Sequence, residues 1–211
     1  MGKWKMISNL EIDTDYGFGN AKYITEIEYI NSVRLNPAYV KFILQHNGAM
    51  LETDTFDFYN PNRSIHDSDY FCFVKIESIQ DTINTLLTVG SNDFVEDIGY
   101  FFEKIIPFGD NGGGDYICFD YRKCNTDNPP IILWFHDANP TDARVAFVAD
   151  NFEEFVNMLY EDSNLDDESK IARRKTRDEN RKKKEKLRQK YIEENNTKMR
   201  QLSAQYKQYE K

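Results

Sequence analysis

The sequence contains few of the residues that usually build catalytic or metal sites. Its 211 residues include three histidines and three cysteines. His46, His66 and His136 lie far apart, and none has another His or Cys at a metal-ligand spacing. The nucleophile motif GxSxG is also missing from the sequence. We therefore expect a protein without a catalytic site, a metal or another cofactor.

Long apolar runs are equally rare. No run of about 18 apolar residues occurs, so we expect no membrane-spanning helix. The first residues lack the apolar segment and the cleavage site of a secretory signal. Cys72 and Cys118 lie within apolar stretches, where a cysteine is usually a buried, inert thiol. These features predict a reduced, cytoplasmic protein with no membrane partner.

Positive charge is scarce over most of the chain and concentrated near its end. Residues 1–163 contain 11 Lys and Arg against 27 Asp and Glu, a balance of −16, whereas residues 164–211 contain 16 against 9, a balance of +7. We expect the acidic part to attract basic proteins and to repel nucleic acid. The basic run at residues 181–184 can neutralise phosphates, although a solvated charged helix is the commoner outcome. Nucleic-acid binding is therefore unlikely except through residues 164–211.

Helical periodicity of apolar residues occurs at four places in the acidic part. The capping-box spacing of residues 25–28 predicts a helix that begins at Thr25. A second helix should follow Asn36 as its cap, with Pro37 in its first turn. A third is predicted over SIQDTINTLL, and a fourth over NFEEFVNMLYED with Asp150 as its cap.

Between these helices, runs rich in aromatic and β-branched residues predict strands. The runs are DTFDFY, YFCFVKI, YFFEKIIPF, YICFDY, PIILWFHD and RVAFVA. Runs of strands flanked by separate helices are typical of an α+β domain rather than an alternating α/β one. The later segment RRKTRDENRKKKEKLRQK has no aromatic residue, and it predicts a solvated helical tail.

The stretch GDNGGGDYICFD, residues 109–120, places three consecutive glycines between acidic residues. A phosphate-binding P-loop needs Lys and Ser or Thr after its last glycine, but Asp115 stands there. A calcium-binding EF-hand loop needs Glu at its twelfth position, which is Tyr121 when counted from Asp110. The stretch instead predicts a glycine-rich hairpin turn. Four of its residues are candidate partner-binding residues: Asp110, Asn111, Asp115 and Asp120.

Four blocks follow one another along the acidic part: LNPAYVKFILQHNG, IPFGDNGGGDYICFD, PPIILWFHD and VADNFEEFVNML. In order and spacing they resemble the SUKH superfamily of Smi/Knr-like proteins, over roughly residues 24–162. The residues that match the family's motifs, which we expect to be mainly structural, are Tyr39, Phe42, Ile43, Asn47, Gly48, Pro107, Gly109, Gly113, Gly114, His136, Phe152 and Phe155. Pro37 and Ala49 depart from the family's pattern at two turn positions.

The resemblance implies an α+β domain with helices packed on a mostly antiparallel sheet, and no catalysis. It divides the chain into an N-terminal extension (residues 1–23), a SUKH-like domain (residues 24–163) and a basic tail (residues 164–211). Many bacterial members are immunity proteins that bind a polymorphic or contact-dependent toxin, and some eukaryotic members are regulatory scaffolds. We therefore expect a non-catalytic immunity protein that occludes a basic toxin, such as a nuclease. The alternative is an intracellular scaffold whose tail docks a partner or nucleic acid.

Overall fold

The computed structural model describes residues 10–89, 104–139 and 142–162, with five further positions beyond them. The chain divides into two compact units, Met1–Asp162 and Ser163–Lys211. All of the elements named below belong to the first unit. The predicted helical tail, residues 164–211, lies almost wholly outside the described residues and stays a prediction.

The first unit is an α+β domain in which every paired strand is antiparallel to its neighbour. Its elements, in chain order, are β1 (Ile12–Thr14), α1 (Ala21–Asn31), α2 (Pro37–Gln45), β2 (Met50–Leu51), β3 (Thr55–Asn60), β4 (Ile65–Tyr70), β5 (Cys72–Phe73), α3 (Ile76–Val89), β6 (Ile105–Asp110), β7 (Tyr116–Asp120), β8 (Ile131–Trp134), β9 (Val145–Ala149) and α4 (Phe152–Met158). Strands β5 to β9 form a five-stranded sheet in that order, and β1–β2 and β3–β4 form two smaller sheets. The predicted fold class is confirmed.

Two helix starts differ from those predicted. Helix α1 begins at Ala21 because the side chain of Asn20 caps it, accepting a hydrogen bond from the Lys22 N–H. Thr25 lies one turn inside the helix, and its hydroxyl donates to the Ala21 carbonyl, so the start predicted at Thr25 was wrong. Helix α4 is capped by Asn151, one residue later than predicted.

Helix α2 begins after Asn36 as the sequence predicts, and a second asparagine lies just beyond its other end. Asn36 accepts hydrogen bonds from the N–H groups of Ala38 and Tyr39, at 2.9 and 3.1 Å. Beyond the other end, Asn47 is buried and accepts from the backbone N–H of Ile76 at 2.9 Å. Because Ile76 is the first residue of α3, this single amide joins the end of one helix to the start of the next.

The core is dominated by aromatic rings that α2 and α4 bring against the five-stranded sheet. Tyr39 of α2 is fully buried, and its ring lies 5.1 to 6.3 Å from four phenylalanine rings. Those rings belong to Phe73, Phe108, Phe119 and Phe152. Most of the pairs are edge-on, which is the favourable geometry for aromatic quadrupoles.

The three cysteines are free thiols, and Cys72 and Cys118 are buried as expected. Burial raises the pKa of the Cys118 thiol well above its usual value, so it stays protonated and unreactive at neutral pH. Among the described residues, no helix is long and apolar enough to cross a lipid bilayer.

The buried hydroxyls of Tyr39 and Tyr121 predict opposite effects for one substitution. In the part of the chain that the structure describes, the Tyr39 hydroxyl has no hydrogen-bond partner, whereas the Tyr121 hydroxyl donates to the Arg34 carbonyl at 2.6 Å. We expect Tyr39→Phe to raise the free energy of unfolding by about 1 kcal/mol and Tyr121→Phe to lower it by about 1 kcal/mol. Urea denaturation of both variants measures this, and a destabilised Tyr39→Phe would show that the hydroxyl has a partner.

Candidate functional site: an acidic hairpin turn

The glycine stretch forms the turn between β6 and β7, as the sequence predicts, and we call residues 110–115 the acidic turn. These strands pair antiparallel, and Asp110 lies opposite Tyr116 at the end of the ladder. Gly112 and Gly114 have positive φ values of 72° and 121°, which side chains disfavour. The Asp110 carboxylate closes the first part of the turn by accepting from the Gly112 N–H at 2.9 Å.

Asn111 organises the turn with both ends of its side-chain amide. Its oxygen accepts hydrogen bonds from the N–H groups of Gly113 and Asp115, at 2.9 and 3.2 Å. Its nitrogen donates to the carboxylate of Asp69, on β4, at 2.8 Å and to that of Asp115 at 3.2 Å. One neutral amide therefore holds two carboxylates close to each other at the mouth of the turn.

Asp115 also links the turn to His136, which lies two residues beyond the end of β8. Its Oδ1 atom accepts from the backbone N–H of His136 at 2.9 Å and lies 2.7 Å from Nδ1 of the same residue. The imidazole packs against the backbone of Gly114, where an added Cβ atom would lie 2.9 Å from the ring. Gly114 is therefore required both for its φ value and for the close approach of His136.

The environment of Asp69 disfavours its charged form. Partial burial raises the pKa of its carboxyl, and the charge of nearby Asp115 adds to that rise. The hydrogen bond from Asn111 acts in the opposite direction and is outweighed. Burial is thus the main cause of the raised pKa of Asp69, and the negative charge at the turn adds to it.

Asp120, the fourth candidate residue, lies at the other end of β7 and does not join the turn. Arg122 binds it through two side-chain hydrogen bonds of 2.9 and 2.7 Å. Burial alone would raise the pKa of Asp120, but the hydrogen bonds from Arg122 lower it overall. The structure therefore brings Asp110, Asn111 and Asp115 together and leaves Asp120 paired to a cation elsewhere.

Most of the other motif residues lie in the core or at turns elsewhere in the domain. Gly109 lets β6 approach Phe71, because an added Cβ atom would lie 2.8 Å from that ring. Gly48 adopts a φ of 62° immediately after Asn47. The side chains that are buried in the main hydrophobic core include Tyr39, Phe42, Ile43, Phe152 and Phe155.

One group in the described part of the chain could offer ligand atoms to a metal ion, and these atoms lie within 4.8 Å of one another. The group consists of Asp115, His136 and Asp137. Two ligands of one zinc ion lie about 3.3 Å apart, given zinc–ligand distances near 2.0 Å. The 2.7 Å separation of the Asp115 and His136 atoms is that of a hydrogen-bonded pair. The absence of a metal site stays a prediction.

An aspartate–histidine pair is also two-thirds of a hydrolytic triad, in which the histidine activates a hydroxyl or thiol. The hydrogen bonds of His136 in the described residues run to Asp115 alone. The geometry thus orients an exposed imidazole beside carboxylates, which suits binding of a cationic group more directly than nucleophilic chemistry. Sequence reasoning missed Asp69 and Asp137, since only the tertiary fold brings β4 and the end of β8 to this turn.

Comparison with known proteins agrees with this architecture. Residues 20–158, about two-thirds of the chain, match the SMI1 / KNR4 family (SUKH-1). The chain belongs to this family. The suspected membership in the SUKH superfamily is confirmed, and the acidic turn, the aromatic core and α4 all lie within the matched SUKH-1 region.

One curated relative is the SPbeta prophage-derived uncharacterized protein YokK of Bacillus subtilis (strain 168). It is 36% identical to this SUKH-1 chain over 62 residues, which are 29% of the chain. The alignment covers 30% of the length of that relative, so the likeness is local.

Replacing Gly114 should distort the acidic turn. We expect Gly114→Ala to lower the free energy of unfolding by about 3 kcal/mol, because both backbone strain and the contact with His136 oppose the methyl group. Gly112→Ala is the matched control: its φ is positive but its Cβ atom would meet nothing within 4 Å, so about 1 kcal/mol is expected. Urea denaturation compares the two.

Making the same substitution in a His136→Ala variant separates backbone strain at Gly114 from crowding by the imidazole. In His136→Ala, the penalty of Gly114→Ala should fall to near that of Gly112→Ala, since the imidazole no longer crowds the methyl group. An unchanged penalty in that background would contradict the close approach of His136.

The raised pKa of Asp69 predicts a pH dependence with a definite sign. A carboxyl whose folded pKa exceeds its unfolded value near 3.8 stabilises the fold at low pH and loses that contribution as pH rises through the folded pKa. The difference in free energy of unfolding between the native protein and Asp69→Asn should therefore shift against the native protein as pH rises above 4. Asp120→Asn should give the opposite slope at acidic pH, since the pKa of Asp120 is lowered. Chemical denaturation from pH 2 to pH 7 tests both variants, and equal slopes would refute this assignment.

Proposed function

We propose that this SUKH-1 protein is a non-catalytic immunity protein that acts in the cytoplasm. It binds a cognate polymorphic or contact-dependent toxin and occludes the toxin's active or substrate-binding surface. The toxin is a basic protein, and a nuclease fits this description because nucleic-acid-binding surfaces are rich in Lys and Arg. No chemical step on the toxin is needed, since burial of the toxin's working surface is sufficient for inhibition.

The acid excess of residues 1–163 carries this proposal. Their balance of −16 makes electrostatic attraction to a basic partner effective before contact. Such steering raises association rates above the usual range of about 10⁵–10⁶ M⁻¹s⁻¹. A fast association suits an immunity protein, because the toxin must be captured before it finds its substrate. The acidic turn contributes an ordered group of carboxylates to this surface.

A regulatory scaffold is the second candidate, and the charge reversal at residues 164–211 favours it. A segment with a balance of +7 is suited to bind an acidic protein or nucleic acid while the acidic unit binds something else. The two candidates differ in which part of the chain is essential. The immunity function requires residues 1–163, whereas the scaffold function requires both residues 1–163 and residues 164–211.

The test begins with capture from the native cell by the full-length chain at near-physiological salt. A matched bait carries glutamine in place of the four basic residues at 181–184, so that only the tail's charge changes. We expect both baits to recover one basic protein at equal stoichiometry. Expressed alone, that protein should arrest growth, and co-expression of this chain should restore it. Association should slow as salt is added, since screening weakens steering.

Two results would overturn the immunity proposal. One is recovery of partners by the native bait alone, which would transfer the function to the tail and favour the scaffold. The other is a captured protein whose expression is harmless to the cell. Unchanged association rates between low and high salt would remove the electrostatic part of the proposal.

A further inference from the structure

A second surface lies on the side of the domain where β3 runs beside β9. These strands belong to different sheets and share no hydrogen-bonded ladder. A groove of about 370 Å³ opens between them. The residues that line it include Asp57, Tyr59, Pro61, His66, Val145 and Phe147. None of them belongs to the acidic turn or to the family motifs.

Polar contacts near both ends of β3 fix the walls of this groove. The Asn62 amide donates to the Ala143 carbonyl at 2.9 Å and accepts from the Ala143 N–H at 2.7 Å. Near the opposite end, Thr55 and Tyr160 exchange two backbone hydrogen bonds of 3.1 and 3.0 Å. The groove is therefore preformed. A ligand would not have to order its walls, so binding loses less conformational entropy.

The groove exposes aromatic side chains of both strands, whereas the other two aromatics of β3, Phe56 and Phe58, are buried. Phe56 of β3 is 0% exposed, whereas Tyr59 on the same strand is 49% exposed and Phe147 of β9 is 57% exposed. Tyr160, beside the end of the groove, is 36% exposed. Aromatic residues that cluster on the surface of a domain with a well-filled core mark an interaction site.

A carboxylate stands among these rings in a fixed orientation. Asp57 is exposed, and its Oδ1 atom accepts a hydrogen bond from the Tyr160 hydroxyl at 2.7 Å. In the turn between β3 and β4, Arg63 is paired with Asp67 of β4, so its charge is partly compensated. The groove thus combines apolar ring faces with one oriented negative charge.

We propose that this groove receives an arginine side chain of a protein partner. A guanidinium stacks on aromatic faces and is more weakly hydrated than an ammonium, which separates arginine from lysine. Its planar fork also matches a carboxylate such as that of Asp57. The groove is open to solvent along one side, whereas sites for small molecules usually enclose most of the ligand. A side chain presented by a protein surface suits this shape.

This inference rests on the proposed function and sharpens it. The partner is a basic toxin, and arginine is among the residues that carry most binding energy at interfaces. The acidic unit would attract the toxin over a long range, and the groove would hold one anchoring arginine. Tyr59 and Phe147 are then the expected anchor contacts, with Asp57 as the charged one.

The test needs no toxin, so its outcome is independent of the proposed function. The full-length, ¹⁵N-labelled chain is titrated with the peptide Ac-Gly-Arg-Gly-NH₂ and, separately, with the same peptide carrying citrulline, the neutral isostere of arginine. We expect saturable shifts of the Tyr59, His66 and Phe147 amide signals with the arginine peptide alone. Asp57→Asn and Phe147→Ala should each weaken binding at least about fivefold.

Matched controls come from α1, which contributes no residue to the groove. Glu26→Gln removes an exposed charge and Tyr29→Ala removes an aromatic side chain that is 85% exposed. Neither should alter binding of the arginine peptide. Because all four substitutions are at exposed positions, unchanged unfolding midpoints are expected and should be checked.

Equal binding of the citrulline peptide, shifts away from the groove, or unaltered binding by the Asp57 and Phe147 variants would each overturn the inference. A captured toxin that binds native protein and Phe147→Ala equally would also overturn it while leaving the immunity function intact. Conversely, peptide binding at the groove together with a harmless captured protein would support the groove and refute the immunity function.

Discussion

Helix α2 carries Tyr39 into a ring of phenylalanines that come from β5, β6, β7 and α4. These elements are far apart in the chain, so this cluster is where the long-range contacts of the domain converge. Its energy is mainly that of apolar area removed from water, with a smaller part from edge-on ring geometry. The positions of the acidic turn and of the groove follow from it, because β6, β7 and β9 are held by the sheet that the cluster covers.

Asparagine side-chain amides hold helix ends, loops and turns that the apolar core does not itself position. Asn36 and Asn47 hold helix ends, Asn62 bridges to the segment before β9, and Asn111 shapes the acidic turn. An amide both donates and accepts, so one side chain can satisfy two backbone groups that no neighbouring strand reaches. The same property lets Asn111 bridge Asp69 and Asp115 without adding charge.

Local sequence patterns were sufficient for the fold class, the hairpin turn and the start of α2, because each depends on residues close together in the chain. The start of α1 was missed because two possible N-caps lie within six residues of each other. The capping-box spacing at Thr25 predicts one start, but the structure uses Asn20 as the cap. Only the carboxylates within the turn could be predicted. Asp69 joins them through a tertiary contact 42 residues away in sequence, which no local pattern indicates. The groove was also missed, although the alternation in β3 that exposes Asp57 and Tyr59 is visible in the sequence.

Among the described residues, β4 has β3 as its one hydrogen-bonded neighbour in a sheet. A strand at the edge of a sheet can be a template on which another chain extends the sheet. β4 reads IHDSDY, and the carboxylates of Asp67 and Asp69 make it a poor template for an identical acidic copy. The charge that we assign to toxin capture thus has a second consequence. It opposes strand-to-strand polymerisation, and mutations that neutralise these carboxylates would favour aggregation even where folding is unharmed.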